Sequence, residues 1–120
     1  MKKIVIIEDE LILAEALKER LTNTGYNVFV AYNGEDGLEY IRKKTPDLLI
    51  LDILLPGING YDVMRKLKES NIKVPILVVS NSGQPVEIEK SQEMGVRDFI
   101  VKVDFSLDDV EKKVRSIIGD

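Results

Sequence analysis

The chain alternates between two hydrophobic rhythms. Unbroken apolar runs at Ile4-Val5-Ile6-Ile7, at Leu48-Leu49-Ile50-Leu51 and at Ile76-Leu77-Val78-Val79 are separated by stretches whose apolar residues recur every three or four positions. A run with no polar alternation reads as a strand covered on both faces, the habit of parallel sheets, and the three-and-four spacing reads as an amphipathic helix. The pattern predicts a first strand at Lys3–Ile7, then an amphipathic helix over 11–24 with Leu13, Ala16, Leu17 and Leu21 at three- and four-residue spacing, stopped by Gly25. A second strand over 26–31 leads to Asn33, which can cap a helix with Asp36 at its third position and Leu38 and Ile41 on the inner face. The third strand runs into Asp52 and is broken at Pro56-Gly57. Gly57 and Gly60 bracket a loop before a helical stripe of Val63, Met64 and Leu67.

A fourth strand is expected over 74–80 and a more polar helix over 86–94, ended by Gly95. A short fifth strand over 99–101 leads into Lys102. Ser106-Leu107-Asp108-Asp109 then reads as a capping box opening a last helix through Val110, Val114 and Ile117. Strict alternation with short connections implies an α/β fold, a parallel sheet with helices on both faces and right-handed crossovers. At this size the arrangement fits a flavodoxin-like doubly wound sheet of five strands, order 2-1-3-4-5, with five helices, in one domain over 1–120.

Composition narrows the chemistry. The 120 residues contain no Cys and no His, which removes disulfides, thiolate chemistry, the usual general base and the usual transition-metal ligand. A net charge of −4 argues against direct nucleic-acid binding, which needs a basic surface. No apolar run reaches the roughly 18 residues of a membrane span, and the run after Met1-Lys2-Lys3 is too short for a signal peptide. A cytoplasmic location is the expectation.

Four of the five strands end in polar groups: Glu8 and Asp9 after the first, Asp52 on the third, Ser80 on the fourth and Lys102 on the fifth. In the order 2-1-3-4-5 those strands are neighbours, so their carboxyl ends line the crevice where open α/β sheets bind ligands. Three carboxylates repel one another, and one lysine offsets one charge at most. Mg²⁺, which takes oxygen ligands and suits one or two carboxylates plus a phosphate, resolves this. A carboxylate can attack phosphorus to give an aspartyl phosphate, with the ammonium and a hydroxyl such as that of Ser80 stabilising the transferred group. Without a base for hydrolysing an outside substrate, the group phosphorylated is the protein's own.

The ordered set Glu8-Asp9, Asp52 with Pro56 and Gly60, Ser80, and Met94-Gly95-Val96-Arg97-Asp98-Phe99-Ile100-Val101-Lys102 resembles the receiver domain of two-component response regulators over essentially the whole chain. The resemblance implies that Asp52 is the phosphoacceptor. It implies that Glu8, Asp9, Asp52 and the backbone carbonyl of Leu54 hold Mg²⁺. Lys102 and Ser80 then contact the phosphoryl group, and Ser80 and Phe99 change position as a switch. A histidine kinase or histidine phosphotransfer protein would dock on the first helix and the loop after strand 5. A downstream effector would read the helix after strand 4, strand 5 and the last helix. Such a domain is a signalling switch that catalyses only its own phosphorylation and dephosphorylation, not an enzyme in the usual sense.

Two positions depart from the family pattern. Val103 stands where a proline after the lysine is usual, so the Lys102–Val103 peptide is expected to be trans, and Asn81 stands where a small residue is favoured. The alternative is a receiver-like adaptor that works without phosphorylation, against which the intact acidic pair, Asp52, Ser80 and Lys102 argue. A nucleotide or flavin binder would want a Gly-rich or Ser/Thr-rich loop where Glu8-Asp9-Glu10 stands. A phosphatase of the haloacid-dehalogenase type would want a second Asp where Leu54 stands.

Overall fold

The computed structural model describes residues 1–81 and 92–119. Its strands are β1 (Lys3–Ile7), β2 (Asn27–Ala31), β3 (Leu48–Leu51), β4 (Ile76–Ser80) and β5 (Val96–Val101). They form one parallel sheet, as the alternation implied, in the flavodoxin-like order β2-β1-β3-β4-β5 that the size of the chain fitted. The helices are α1 (Leu11–Thr24), α2 (Gly34–Lys43), α3 (Gly60–Glu69) and α4 (Leu107–Ile118). That is four helices among the described residues, not the five expected. Most of the helix expected over 86–94 lies outside the described residues, and of it only Gln92 and Glu93 show helical backbone.

The sheet separates two cores. On one face Leu38 and Ile41 of α2 and Val63, Met64 and Leu67 of α3 pack on Val5, Ile7, Leu49, Leu51 and Val78. On the other, Leu17 and Leu21 of α1 and Val110 and Val114 of α4 pack on Ile4, Ile6, Ile50, Leu77 and Val79. β1, β3 and β4 alternate between the two cores residue by residue and are buried on both faces, hence their lack of polar alternation. After β1 the chain crosses to the α1 face, and after β3 to the α3 face. The crevice between their carboxyl ends is therefore the switch point of the fold.

Three local readings change. β5 begins at Val96, because Val96 pairs with Ile76 across an irregular register before Asp98 meets Leu77. Its charged residues had hidden that start. Gly60 is the first residue of α3 and not part of a loop. The Asn59 side chain accepts from the Asp62 amide at 2.9 Å and the Asp62 carboxylate from the Asn59 amide at 3.0 Å, a full capping box. At Ser106 only one half forms: the hydroxyl accepts from the Asp109 amide at 3.0 Å. Asn33 caps α2 through the Asp36 amide as expected, and Gly25 closes α1 in the left-handed region at φ 113°.

Candidate functional site

Main-chain ladders carry the acidic residues to the switch point. The Glu8 amide donates to the Ala31 carbonyl at 3.1 Å, and the Asp52 amide to the Ile7 carbonyl at 3.1 Å. Glu8 and Asp52 thus stand one residue beyond β1 and β3, held on either side of β1. Both are buried, at 2% and 3% exposure, while Asp9 is exposed. One carboxylate oxygen from each of Glu8, Asp9 and Asp52 can be chosen so that all three lie within 4.8 Å of one another.

Lys102 follows β5 in a single 3₁₀ turn (Lys102–Asp104) and reaches across the crevice. Its ammonium lies 2.9 Å from Glu8 Oε1 and 3.0 Å from Asp52 Oδ2, with Glu10 Oε2 at 3.4 Å. The other oxygens of the buried pair take main-chain donors: Glu8 Oε2 from the Glu10 amide at 3.1 Å, and Asp52 Oδ1 from the Leu54 amide at 3.2 Å. Burying two carboxylates costs several kcal/mol or so apiece unless each lone pair finds a donor. Here each of their oxygens has one.

The balance remains acidic, and burial shapes how the groups titrate. Burial pushes the Glu8 carboxyl up to about 7, against the pull of the Lys102 and Glu10 donors and with the Asp52 charge adding to the rise. Burial alone would lower Lys102, but its hydrogen bonds to Glu8 and Asp52 overcome this and raise it above the ordinary lysine value. Lys102 is therefore a permanent cation bridging two buried acids.

α3 frames the other wall. A side chain on Gly60 would meet the Asp52 carbonyl oxygen at 2.6 Å and Ile53 Cα at 2.7 Å, so α3 begins hard against the strand end that carries Asp52. The Gly60 amide donates to the Ile53 carbonyl at 2.8 Å, fixing that approach. Asn59 followed by Asp62 three positions on is the sequence signature that could have revealed this helix start. Glu10 likewise escaped assignment as a partner of Lys102, since sequence order does not show which acids a lysine from another strand will meet.

The remaining candidates stand further out. Ser80 is buried at the end of β4, in register with Val101 next to Lys102. Phe99 is half-buried in β5 opposite Val78 and packs against the core on the α2–α3 face, outside the acidic cluster. Leu54 enters the site through its amide, and its side chain is exposed. Val103 is exposed, its bond to Lys102 is trans, and Asn81 is exposed. Of the helix–strand–helix face expected to signal, the helix over 86–94 lies mostly outside the described residues.

Residues 4–115 match the family described as the response regulator receiver domain. The chain is 35% identical over 118 residues to the response regulator ArlR of Staphylococcus aureus, covering 98% of this chain and 53% of that protein. It is also 35% identical over 102 residues to the transcriptional regulatory protein AfsQ1 of Streptomyces coelicolor, covering 85% of this chain and 45% of that one. The chain thus spans about half the length of these relatives. Among solved structures it is similar to the response regulator protein TrrA from Thermotoga maritima in complex with Mg²⁺-BeF, at TM-score 0.82 and 30% identity over 98% of this chain and 99% of that one. No helix among the described residues is long and apolar enough to cross a membrane.

Proposed function

The chain belongs to the response regulator receiver family, and from that membership we propose that it is a phosphorylation-dependent signalling switch whose phosphoacceptor is Asp52. The observation that carries the reading is the buried Asp52 carboxylate sharing one lysine with Glu8 at the switch point of the sheet. A phosphohistidine on a histidine kinase or phosphotransfer protein is the donor. An Asp52 carboxylate oxygen attacks phosphorus, the P–N bond breaks, and the histidine nitrogen leaves with the bonding pair. Lys102 turns its ammonium from the carboxylates to an oxygen of the transferred group, and the Ser80 hydroxyl donates to another.

The donor set fits Mg²⁺: three carboxylate oxygens in reach of one another, hard ligands only, and no sulfur or imidazole. Glu8, Asp9, Asp52 and the Leu54 carbonyl would hold it, and when bound it neutralises charge on the entering phosphoryl oxygens. The TrrA structure in complex with Mg²⁺-BeF supports this assignment. Exposed Leu11 and Ile12 at the start of α1, with Leu54 after β3 and Val103 in the 3₁₀ turn after β5, offer an apolar rim for the donor protein. Phe99 and Ser80 relay the change to β5 and α4, where a downstream effector binds, and the setting is cytoplasmic. The chain transforms no outside substrate; it takes and loses its own phosphoryl group.

Intact mass after incubation with acetyl phosphate tests the reading. One phosphoryl group is expected with Mg²⁺, none in EDTA and none in Asp52→Asn. Equal labelling of that variant would reject Asp52. Activity of an unlabelled chain on its effector would favour the adaptor alternative.

A further inference from the structure

The two edges of the sheet are built differently. β5 places Arg97 and Asp98 on its edge and carries a register irregularity, both of which discourage pairing with another strand. β2 reads Asn27-Val28-Phe29-Val30-Ala31, with no lysine, proline or bulge, and Phe29 and the following Tyr32 are exposed.

Its backbone is also open. The Asn27 amide donates to the Lys2 carbonyl, and the Ala31 carbonyl accepts from the Glu8 amide, so both residues face β1. In a parallel ladder one residue's N–H and C=O share a side, and the side alternates along the strand. Val28 and Val30 therefore turn both groups outward. Above this edge Phe29 stacks on Tyr40 of α2, ring centroids 3.7 Å apart, in a groove of about 290 Å³ that Asp36, Glu39 and Lys43 also line.

We propose that the β2 edge is a self-association surface, where a second copy of this chain pairs antiparallel about a twofold axis through Phe29. This axis sets Val28 opposite Val30 of the second copy and Val30 opposite its Val28, each pair exchanging two main-chain hydrogen bonds. The two Phe29 side chains then meet as a non-hydrogen-bonded pair, the closer kind, and cover each other's exposed faces.

The charges select a copy of this chain as the occupant. Because Phe29 stacks on Tyr40, the axis passes near Tyr40. Asp36 lies four residues before Tyr40 and Lys43 three after, about 6 and 4.5 Å along the helix. A twofold axis there runs the two α2 helices antiparallel and sets each Lys43, which pairs with Glu39 of its own copy at 3.0 Å, beside the other copy's Asp36, so that each ammonium lies between two carboxylates. The surface is thus complementary to itself in hydrogen bonds and apolar cover, as an isologous dimer requires, and the Lys43–Asp36 contacts fix its register. The pairing makes no use of Asp52 or its neighbours.

Sedimentation equilibrium of the purified 120-residue chain, without Mg²⁺ or phosphodonor and up to about 1 mM, tests the proposal. The expected result is a reversible monomer–dimer equilibrium. Phe29→Lys should shift it at least tenfold toward monomer, with its circular dichroism melt checked alongside. Lys43→Glu alone and Asp36→Lys alone should each weaken pairing, and a mixture of those two variants should restore a mixed dimer. Monomer throughout the range overturns the proposal, as does a dimer indifferent to both charge variants. The charge-swap rescue decides the matter even if Phe29→Lys proves poorly folded.

Discussion

The two ends of the sheet handle polar groups in opposite ways. At the amino end an acid is answered by main chain at the surface: the Lys3 amide donates to the exposed Asp47 carboxylate at 2.8 Å, and the Asp47 amide to the Lys3 carbonyl at 2.8 Å. At the carboxyl end Glu8 and Asp52 are buried and share one ammonium with each other and with Glu10. A folding requirement alone would favour the first solution everywhere, since buried ion clusters are weak sources of stability. The excess of acid at one end fits the proposed receipt of Mg²⁺ and a phosphoryl group there.

The comparison breaks most sharply at Lys102. Lys102→Met removes the cation and leaves two buried carboxylates facing each other, so at pH 8, above the Glu8 titration, the metal-free protein should lose about 3–5 kcal/mol. Urea titrations with and without Mg²⁺ provide the check, and Mg²⁺ should return much of the loss. A loss under about 1 kcal/mol would mean that the carboxylates are not both charged and dry.

Titration of Glu8 sharpens the contrast next. Its pKa in the folded, metal-free chain is raised from an ordinary 4.5 to about 7. The folded state therefore holds the extra proton between those values. The associated stability is fully present below about 4.5 and is lost as pH rises through about 7. With no histidine in the chain, little else titrates in that window. Metal-free melting temperatures should fall from pH 5 to pH 8, and Glu8→Gln should flatten the slope. Since the proton competes with the cation, Mg²⁺ affinity should rise about tenfold from pH 6 to pH 8. A pH-independent affinity would remove Glu8 from the ligand set.

The amino end should respond least. Asp47→Ala deletes one exposed hydrogen bond that water can replace, so its cost should stay within about 1 kcal/mol by thermal melt, with phosphoryl labelling unchanged. A larger effect would mean that this end too is under strain.

Much of this architecture is written in local pattern. Unbroken apolar runs identified β1, β3 and β4 because strands buried on both faces cannot alternate. The three-and-four stripes identified α1 to α4 because each helix buries one side. The positions of Glu8, Asp9, Asp52, Ser80 and Lys102 were legible because a polar residue ending an apolar run stands out. Where local pattern conflicts with its surroundings, the reading fell short. Val96-Arg97-Asp98 looks like loop, yet it is strand, because pairing with β4 outweighs the charges of an edge. Asn59 and Asp62 cap α3, but Gly57 and Gly60 suggested only a turn.

The sequence alone determined which residues are apolar, in what period, and which polar groups interrupt them; that suffices for a parallel sheet, and its size fits the flavodoxin-like strand order. Only the tertiary structure decided that Lys102 bridges Glu8 and Asp52 and also meets Glu10, that Gly60 abuts the Asp52 carbonyl, and that Phe29 lies flat on Tyr40 at an open edge. Periodicity is a property of neighbours along the chain. Charge balance and contact depend on distances of a few ångströms between residues up to about 94 positions apart, and those exist only once the layers have packed.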